Sequence, residues 1–199
     1  MRARLKQATE VAHERLHSHD GFAAAAAGTI SRADYRDLLA RLYGFHAPFD
    51  ARMAQAPAEL AAALELPERA RAGLIAADLQ GLGADPAAIA ALPLCAEAPE
   101  MRTEGDYLGA LYVVEGSTLG GQLIARALEP TVGENRRFFL GHGGENSRLW
   151  RSFVAQLDRL DASPAEAAAA ERAALAAFAA FERWMTPWRG AYPRTPAAA

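Results

Sequence analysis

Cysteine is almost missing from this sequence. Cys95 stands alone among 199 residues, so no internal disulfide can form and no cysteine-ligated zinc or iron–sulfur centre can be assembled. Long apolar runs are missing too. No stretch of 18 or more uncharged hydrophobic residues occurs, so no membrane-spanning helix is expected. The chain passes from Met1 to Lys6 straight into a charged amphipathic segment without a signal-peptide core, which leads us to expect a cytoplasmic protein. An excess of basic charge is absent: the net charge is −3 and the pI about 6.0. Neither nucleic acid nor an anionic membrane is therefore expected as a partner. Strand-like alternation with β-branched residues is nearly absent, and no period of 20–50 residues repeats, which argues against sheets and solenoids.

What the sequence does have is helix-forming content. With 51% hydrophobic and 23% charged residues in 199, it reads as one globular domain with a sizeable core. Alanine, the best helix former, is concentrated at 23–27, 60–63 and 165–180. Helical spacing places Leu5, Thr9, Ala12, His13 and Leu16 on one side of a helix over 2–18. Ala23–Ala27 and Gly28 read as a short helix end or loop. Ser31 caps a second long helix, with Asp34 as its box partner, and Pro48 should bend or interrupt that helix. Pro57, Pro67 and Pro86 punctuate shorter helices, and 92–103 form a connection. A long helical segment from Asp106 to Leu128 ends at Pro130 and Gly133. Residues 138–147 read as a turn or loop, and 147–160 as a helix. Ser163 and Pro164 open a last helix running to about Trp184. The expected layout is an all-α, multi-helix domain over 1–186 with a Pro/Ala-rich tail at 187–199.

Two features stand out. Gly116, Gly120 and Gly121 lie inside the long helical segment, and each helical glycine costs about 1 kcal/mol relative to alanine. Gly116 and Gly120, four apart, share a face. They suit either close helix–helix packing or a helix laid across a flat ligand. His13 lies on the inner side of the first helix, where a neutral imidazole can serve as an axial iron ligand or simply as a structural residue. Lys6 projects on a similar face about 10 Å away at 1.5 Å per residue. That is the order of the distance from a haem iron to a propionate. His17 falls near the same face and competes for the ligand role.

Taken together, these segments resemble a known family. Leu5-Lys6-Gln7-Ala8-Thr9-Glu10-Val11-Ala12-His13 resembles the opening of the haem oxygenases. Leu111-Tyr112-Val113-Val114-Glu115-Gly116-Ser117-Thr118-Leu119-Gly120-Gly121-Gln122 resembles the distal-helix signature of their bacterial, biliverdin-producing branch. Leu42-Tyr43-Gly44-Phe45-His46 is similar to an aromatic cluster of that family. Phe138-Phe139, Gly141, Gly143 and Leu149-Trp150-Arg151-Ser152-Phe153 are similar to a downstream block. The likeness spans roughly residues 5–185 in unbroken order.

The resemblance implies a haem oxygenase-like helical bundle with a kinked glycine-rich distal helix. It implies that haem b is both cofactor and substrate, opened by O2 and external electrons to biliverdin (the alpha isomer is expected), Fe2+ and CO. His13 would ligate the iron. Lys6 and Arg151 would pair with propionates, and Thr9 would join the binding set. Gly116, Gly120 and Gly121 would line the distal side, with Gly116, Ser117 and Gly120 closest to the chemistry. Phe138 and Phe139 would pack the haem edge. The sequence departs from the animal enzymes at Ser117, which replaces a distal aspartate, so proton delivery would use a hydroxyl or another water path. Glu10 likewise replaces a basic residue of those enzymes. No dinucleotide or flavin fingerprint is present, because Gly116–Gly121 follows no strand. A ferredoxin or flavin-dependent reductase is the implied electron source, and a bilin-binding photoreceptor an implied user of the product.

Other readings stay open on the residues alone. A non-catalytic haem sensor or carrier would use the same fold. A diiron protein needs E-x-x-H pairs on facing helices, yet Glu10/His13 and Glu14/His17 share one helix. A thiaminase-like enzyme needs a catalytic cysteine, and only Cys95 exists. A helical protein serving interaction alone would leave the three glycines unexplained.

Overall fold

The computed structural model describes residues 1–97 and 99–188, apart from the side chains of His17, Leu119 and Pro187. It is all-α: no strand occurs among the described residues. The helices are α1 (Arg2–His17), α2 (Asp20–Ala26), α3 (Arg32–Met53), α4 (Ala58–Ala63), α5 (Ala72–Gly81), α6 (Pro86–Ala90), α7 (Glu104–Gly116), α8 (Thr118–Val132), α9 (Arg137–Leu140), α10 (Asn146–Leu160) and α11 (Pro164–Met185). Among the described residues no helix is long and apolar enough to cross a membrane. The expected tail at 187–199 lies, beyond Trp188, outside the described residues.

Two apolar clusters make the core. One joins α1, α7, α10 and α11 with the end of α3, through Leu5, Phe49, Leu108, Phe153 and Ala170. The other joins α2, α5, α8 and α9 with the start of α3, through Ala25, Leu38, Ile75, Leu128 and Phe139. α3 runs through both, and Phe181 and Trp184 of α11 pack against both. The chain changes cluster between α7 and α8.

α7 and α11 touch backbone to backbone. A Cβ added at Gly105 would lie 2.3 Å from Glu166 O, and one at Gly109 would lie 2.0 Å from Ala170 O. The constant step shows that the two helices run parallel in fixed register. The small-residue packing stripe is therefore Gly105/Gly109, with alanines opposite, and not Gly116/Gly120. α1 also runs parallel to α11. Arg4 pairs with Glu171, Arg15 with Glu182, and the His13 ring meets Phe178 edge-on at 6.4 Å.

Four sequence expectations need correction. The alanine run at 23–27 belongs to a helix of its own, because the His19 ring caps it by accepting from Gly21 N–H at 3.2 Å. Pro48 does not interrupt α3. The carbonyl that Pro48 leaves without its helical donor is that of Gly44, and Cys95 N–H takes it at 2.8 Å. Gly44 allows that approach, since a Cβ there would meet Pro93 O at 2.4 Å. Pro130 likewise sits within α8, and Gly133, at φ 57°, ends the helix. The segment at 138–147 also contains more than turn: α9 covers Arg137–Leu140, its first amides capped by buried Asp78.

The tight α7–α11 contact predicts the outcome of two substitutions. Gly109→Ala must push the helices apart and should lower the unfolding free energy by about 1–3 kcal/mol. Gly73→Ala, where an added Cβ meets nothing within 4 Å, should leave it unchanged or raise it by up to about 1 kcal/mol. Urea unfolding of the two variants reads the contrast.

Candidate functional site: a slot between the first helix and the broken helix

The slot begins where α1 and α7 meet. Thr9 is buried, donates to Leu5 O at 2.8 Å, and has its side chain within hydrogen-bonding reach of the Tyr112 hydroxyl. Burial raises the Tyr112 hydroxyl above its usual range, so it stays protonated as a donor. One helical turn further along α1 is His13, and one turn further along α7 is Gly116. Both helices keep parallel register with α11, so His13 and Gly116 stand level with the same turn, around Ala177 and Phe178. His13 is exposed along its edge-on contact with Phe178. An added Cβ at Gly116 or Gly120 would meet nothing within 4 Å. An exposed imidazole and a stretch of bare main chain thus stand at the same level along α11.

α7 stops at Gly116 because Ser117 diverts the chain. The Ser117 hydroxyl donates to Val114 O at 2.7 Å, and its carbonyl already accepts from Gly121 N–H of the next helix. The kink expected in the helical segment from Asp106 to Leu128 is a break into two helices hinged at Ser117. This bond commits the hydroxyl proton to the backbone.

Behind the hinge lies a buried polar cluster that sequence reasoning missed. Glu115, the one acid within Leu108–Gly116, is 4% exposed and sits 3.2 Å from Arg69 Nη1. Arg69 also donates to Leu64 O at 2.7 Å and to Leu149 O at 3.2 Å. Arg71 donates to the Thr118 hydroxyl at 2.7 Å. Asp50 accepts from the amides of Arg71 and Ala72 and so fixes the start of α5. The His46 ring packs edge-on against Phe45 and Phe138. Five buried atoms in this region have no hydrogen-bond partner: Glu115 Oε1, Arg69 Nη1, Arg71 Nε, His46 Nδ1 and His142 Nε2. Buried polar atoms in native proteins are normally satisfied by protein or ordered water. An acid inside an apolar run was the one available sequence signal. Nothing in the spacing of Arg69 and Arg71 pointed to α7.

The expected site residues divide. Thr9, His13, Gly116 and Gly120 come together around the slot, with Ser117 at its hinge. Lys6 is exposed on α1. Arg151 is exposed on α10, which runs antiparallel to α7 with Arg159 near Glu104 and Leu149 O near the Arg69–Glu115 pair. Arg151 is thereby level with Tyr112. Gly121 turns away from the slot, because an added Cβ would sit 3.0 Å from Phe139 O; it serves the α8–α9 contact. Phe138 and Phe139 are core residues, packed against His46 and Tyr35. The side chain of His17 lies outside the described residues.

The sequence model of the family described as Heme oxygenase matches residues 1–187. The chain belongs to the haem oxygenase family. Among solved structures, it is similar to the crystal structure of heme oxygenase-1 from the cyanobacterium Synechocystis sp. PCC6803 in complex with heme. The TM-score is 0.72 and the identity 18%, over 94% of this chain and 89% of that one. That likeness speaks for the fold. No curated protein matches the sequence. As a haem oxygenase the chain is an oxidoreductase acting on haem.

Fully buried His46 gives the site a pH signature. Burial and the nearby Arg71 charge push its pKa down to about 3, far below the ordinary value of about 6.5. Between roughly pH 6 and pH 4 the unfolded chain carries a proton on this ring that the folded protein does not, so stability falls as the pH drops, by up to about 1.4 kcal/mol per unit. His142, lowered by burial, acts in the same sense. Asp50 and Asp78, raised by burial, act in the opposite one. His46→Gln should flatten the fall in stability across this window, as read by urea unfolding at several pH values.

Proposed function

We propose that this haem oxygenase opens the haem macrocycle with O2 and electrons from a separate reductase. The products would be biliverdin, as the alpha isomer, with Fe2+ and CO. The carrying observation is the shared level of exposed His13 and uncovered Gly116 along α11, with Gly120 one turn on. His13 Nε2 would ligate the iron, and the ring contact with Phe178 would hold the imidazole upright. The Tyr112 hydroxyl, beside Thr9, and Lys6 would meet the propionates, with Arg151 level with Tyr112. Bound haem supplies both the metal that activates O2 and the meso carbon that is oxidised.

The chain's own residues do the rest. Bare main chain at Gly116 and Gly120 leaves room for a diatomic ligand that any larger side chain would occupy. The Arg71 guanidinium holds the Thr118 hydroxyl by its oxygen, so the hydroxyl proton is available to an acceptor at the hinge. Glu115 Oε1, Arg71 Nε and His46 Nδ1 are suited to hold ordered water behind Thr118, which would bring protons to the distal side in place of the aspartate that Ser117 replaces. Electrons would come from an external ferredoxin or flavin-dependent reductase. A bilin-binding photoreceptor remains a suitable recipient of the product.

Hemin titration tests the reading. The wild type should give a shifted Soret band, and with reductase and air the band should vanish into a green product. His13→Ala should lose most of the Soret shift and all turnover. A His13→Ala protein with full turnover and no added imidazole would overturn the assignment, and a stable Soret band with no green product would make the protein a carrier. Gly116→Leu supplies a second test. It should fold with stability within about 1 kcal/mol of wild type and bind hemin at least about tenfold more weakly, because the added side chain fills the slot.

A further inference from the structure

At the corner after α1 one side chain makes hydrogen bonds at both of its ends. The His19 Nδ1 accepts from Gly21 N–H at 3.2 Å, and Nε2 lies 3.1 Å from Met185 O at the end of α11. A backbone N–H can only donate and a carbonyl can only accept, so the ring is neutral with its proton on Nε2. The ring also packs against Phe22 at 5.4 Å and Trp188 at 5.6 Å. Apolar packing braces the inner side of this corner, where Phe22 meets Phe181; on the outer side a cavity of about 370 Å³ opens, lined by Arg15, Ser18, His19, Asp20, Glu182 and Thr186. On α1 the facing charge is Arg15, on α2 Asp20 and on α11 Glu182, and Arg15 is already engaged with Glu182.

The connections on either side of the corner give this ring leverage. Upstream, the last turns of α1 ride on α11 through His13–Phe178, Arg15–Glu182 and His19–Met185. Downstream, α2 leads to Gly28, whose position would place a Cβ 2.9 Å from Ala127 O of α8. One imidazole therefore ties the helix that carries His13 to the end of α11 and to the helix that leans on α8. We propose that His19 is a positioning residue, a two-ended latch that fixes the rotation of α1 and thereby the direction of the His13 imidazole across the slot. The proposal rests on the haem-binding reading for its consequence, because the direction of His13 would then set which way the haem lies and which meso edge faces Gly116. The latch itself is a property of the protein alone.

Two variants of the full chain separate positioning from stability. Asparagine is a good helix N-cap, so His19→Asn keeps a partner for Gly21 N–H but cannot reach Met185 O. His19→Ala loses both bonds. In the haem-free protein, exchange of the Gly21 amide should speed up by about tenfold in His19→Ala and return close to wild type in His19→Asn. The ring-to-ring NMR contact between His13 and Phe178 should weaken in both. With hemin bound, both variants should raise the minor haem orientation, seen in the hyperfine-shifted methyl resonances, by about threefold. The minor biliverdin isomer should rise with it. A role in stability alone predicts that Asn restores the NMR contact and the orientation ratio along with the amide. That result, or an unchanged His13–Phe178 contact in His19→Ala, would overturn the proposal. Failure of the wild type to bind hemin would count against the haem reading, while the haem-free measurements would still decide the latch.

Discussion

The approach of α7 to α11 governs where everything else can stand. Glycine at 105 and 109 lets main chain touch main chain. At that separation the two helices cannot slide without a carbonyl striking a Cα, so their register is fixed. α1 takes its own register from the same helix through ion pairs and the His13–Phe178 contact. His13 and Gly116 never need to touch in order to be aligned, since each is measured off α11. A recognition slot must stay open to admit a ligand and so cannot be stabilised by contacts across it. Its walls are held from behind.

A second constraint comes from the hinge at Ser117. α7 belongs to one apolar cluster and α8 to the other, and the chain must turn between them. The turn exposes main chain exactly one side away from the core, and polar groups gather behind it. Arg69, Arg71, Glu115 and His46 are all buried there. Burying charges is costly unless they are paired, and replacing such pairs with apolar residues is often stabilising. Retaining them beside the open face of Gly116 and Gly120 is therefore more consistent with chemistry at the slot than with stability.

Two local rules were overridden by distant partners. Proline at 48 is expected to bend or interrupt α3, but the helix continues, and the Gly44 carbonyl left without its amide is taken by Cys95 N–H from the connection before α7. Gly44 admits both that strand of chain and the Trp184 ring, whose indole donates to Arg41 O. The lone cysteine thus matters through its backbone. Gly116 and Gly120 likewise carry the small-residue spacing associated with helix pairing, yet they face open space, while Gly105 and Gly109 make the pairing contact. Spacing alone cannot distinguish the two pairs, because both put glycines on one helix face.

The sequence by itself determined the helical class, the extents of α1, α10 and α11, the cap at Ser31, and the family through its two ordered motifs. Each of these depends on residues near one another in the chain or on a motif read as a string. Only the tertiary structure decided that Gly121, Phe138 and Phe139 belong to packing, that Ser117 gives its proton to the backbone, and that Arg69, Arg71 and His46 converge behind the hinge. Apart from the local Ser117 bond, those outcomes depend on which helix faces lie against each other. That is set by the depth to which side chains let two backbones approach, a quantity no local pattern encodes.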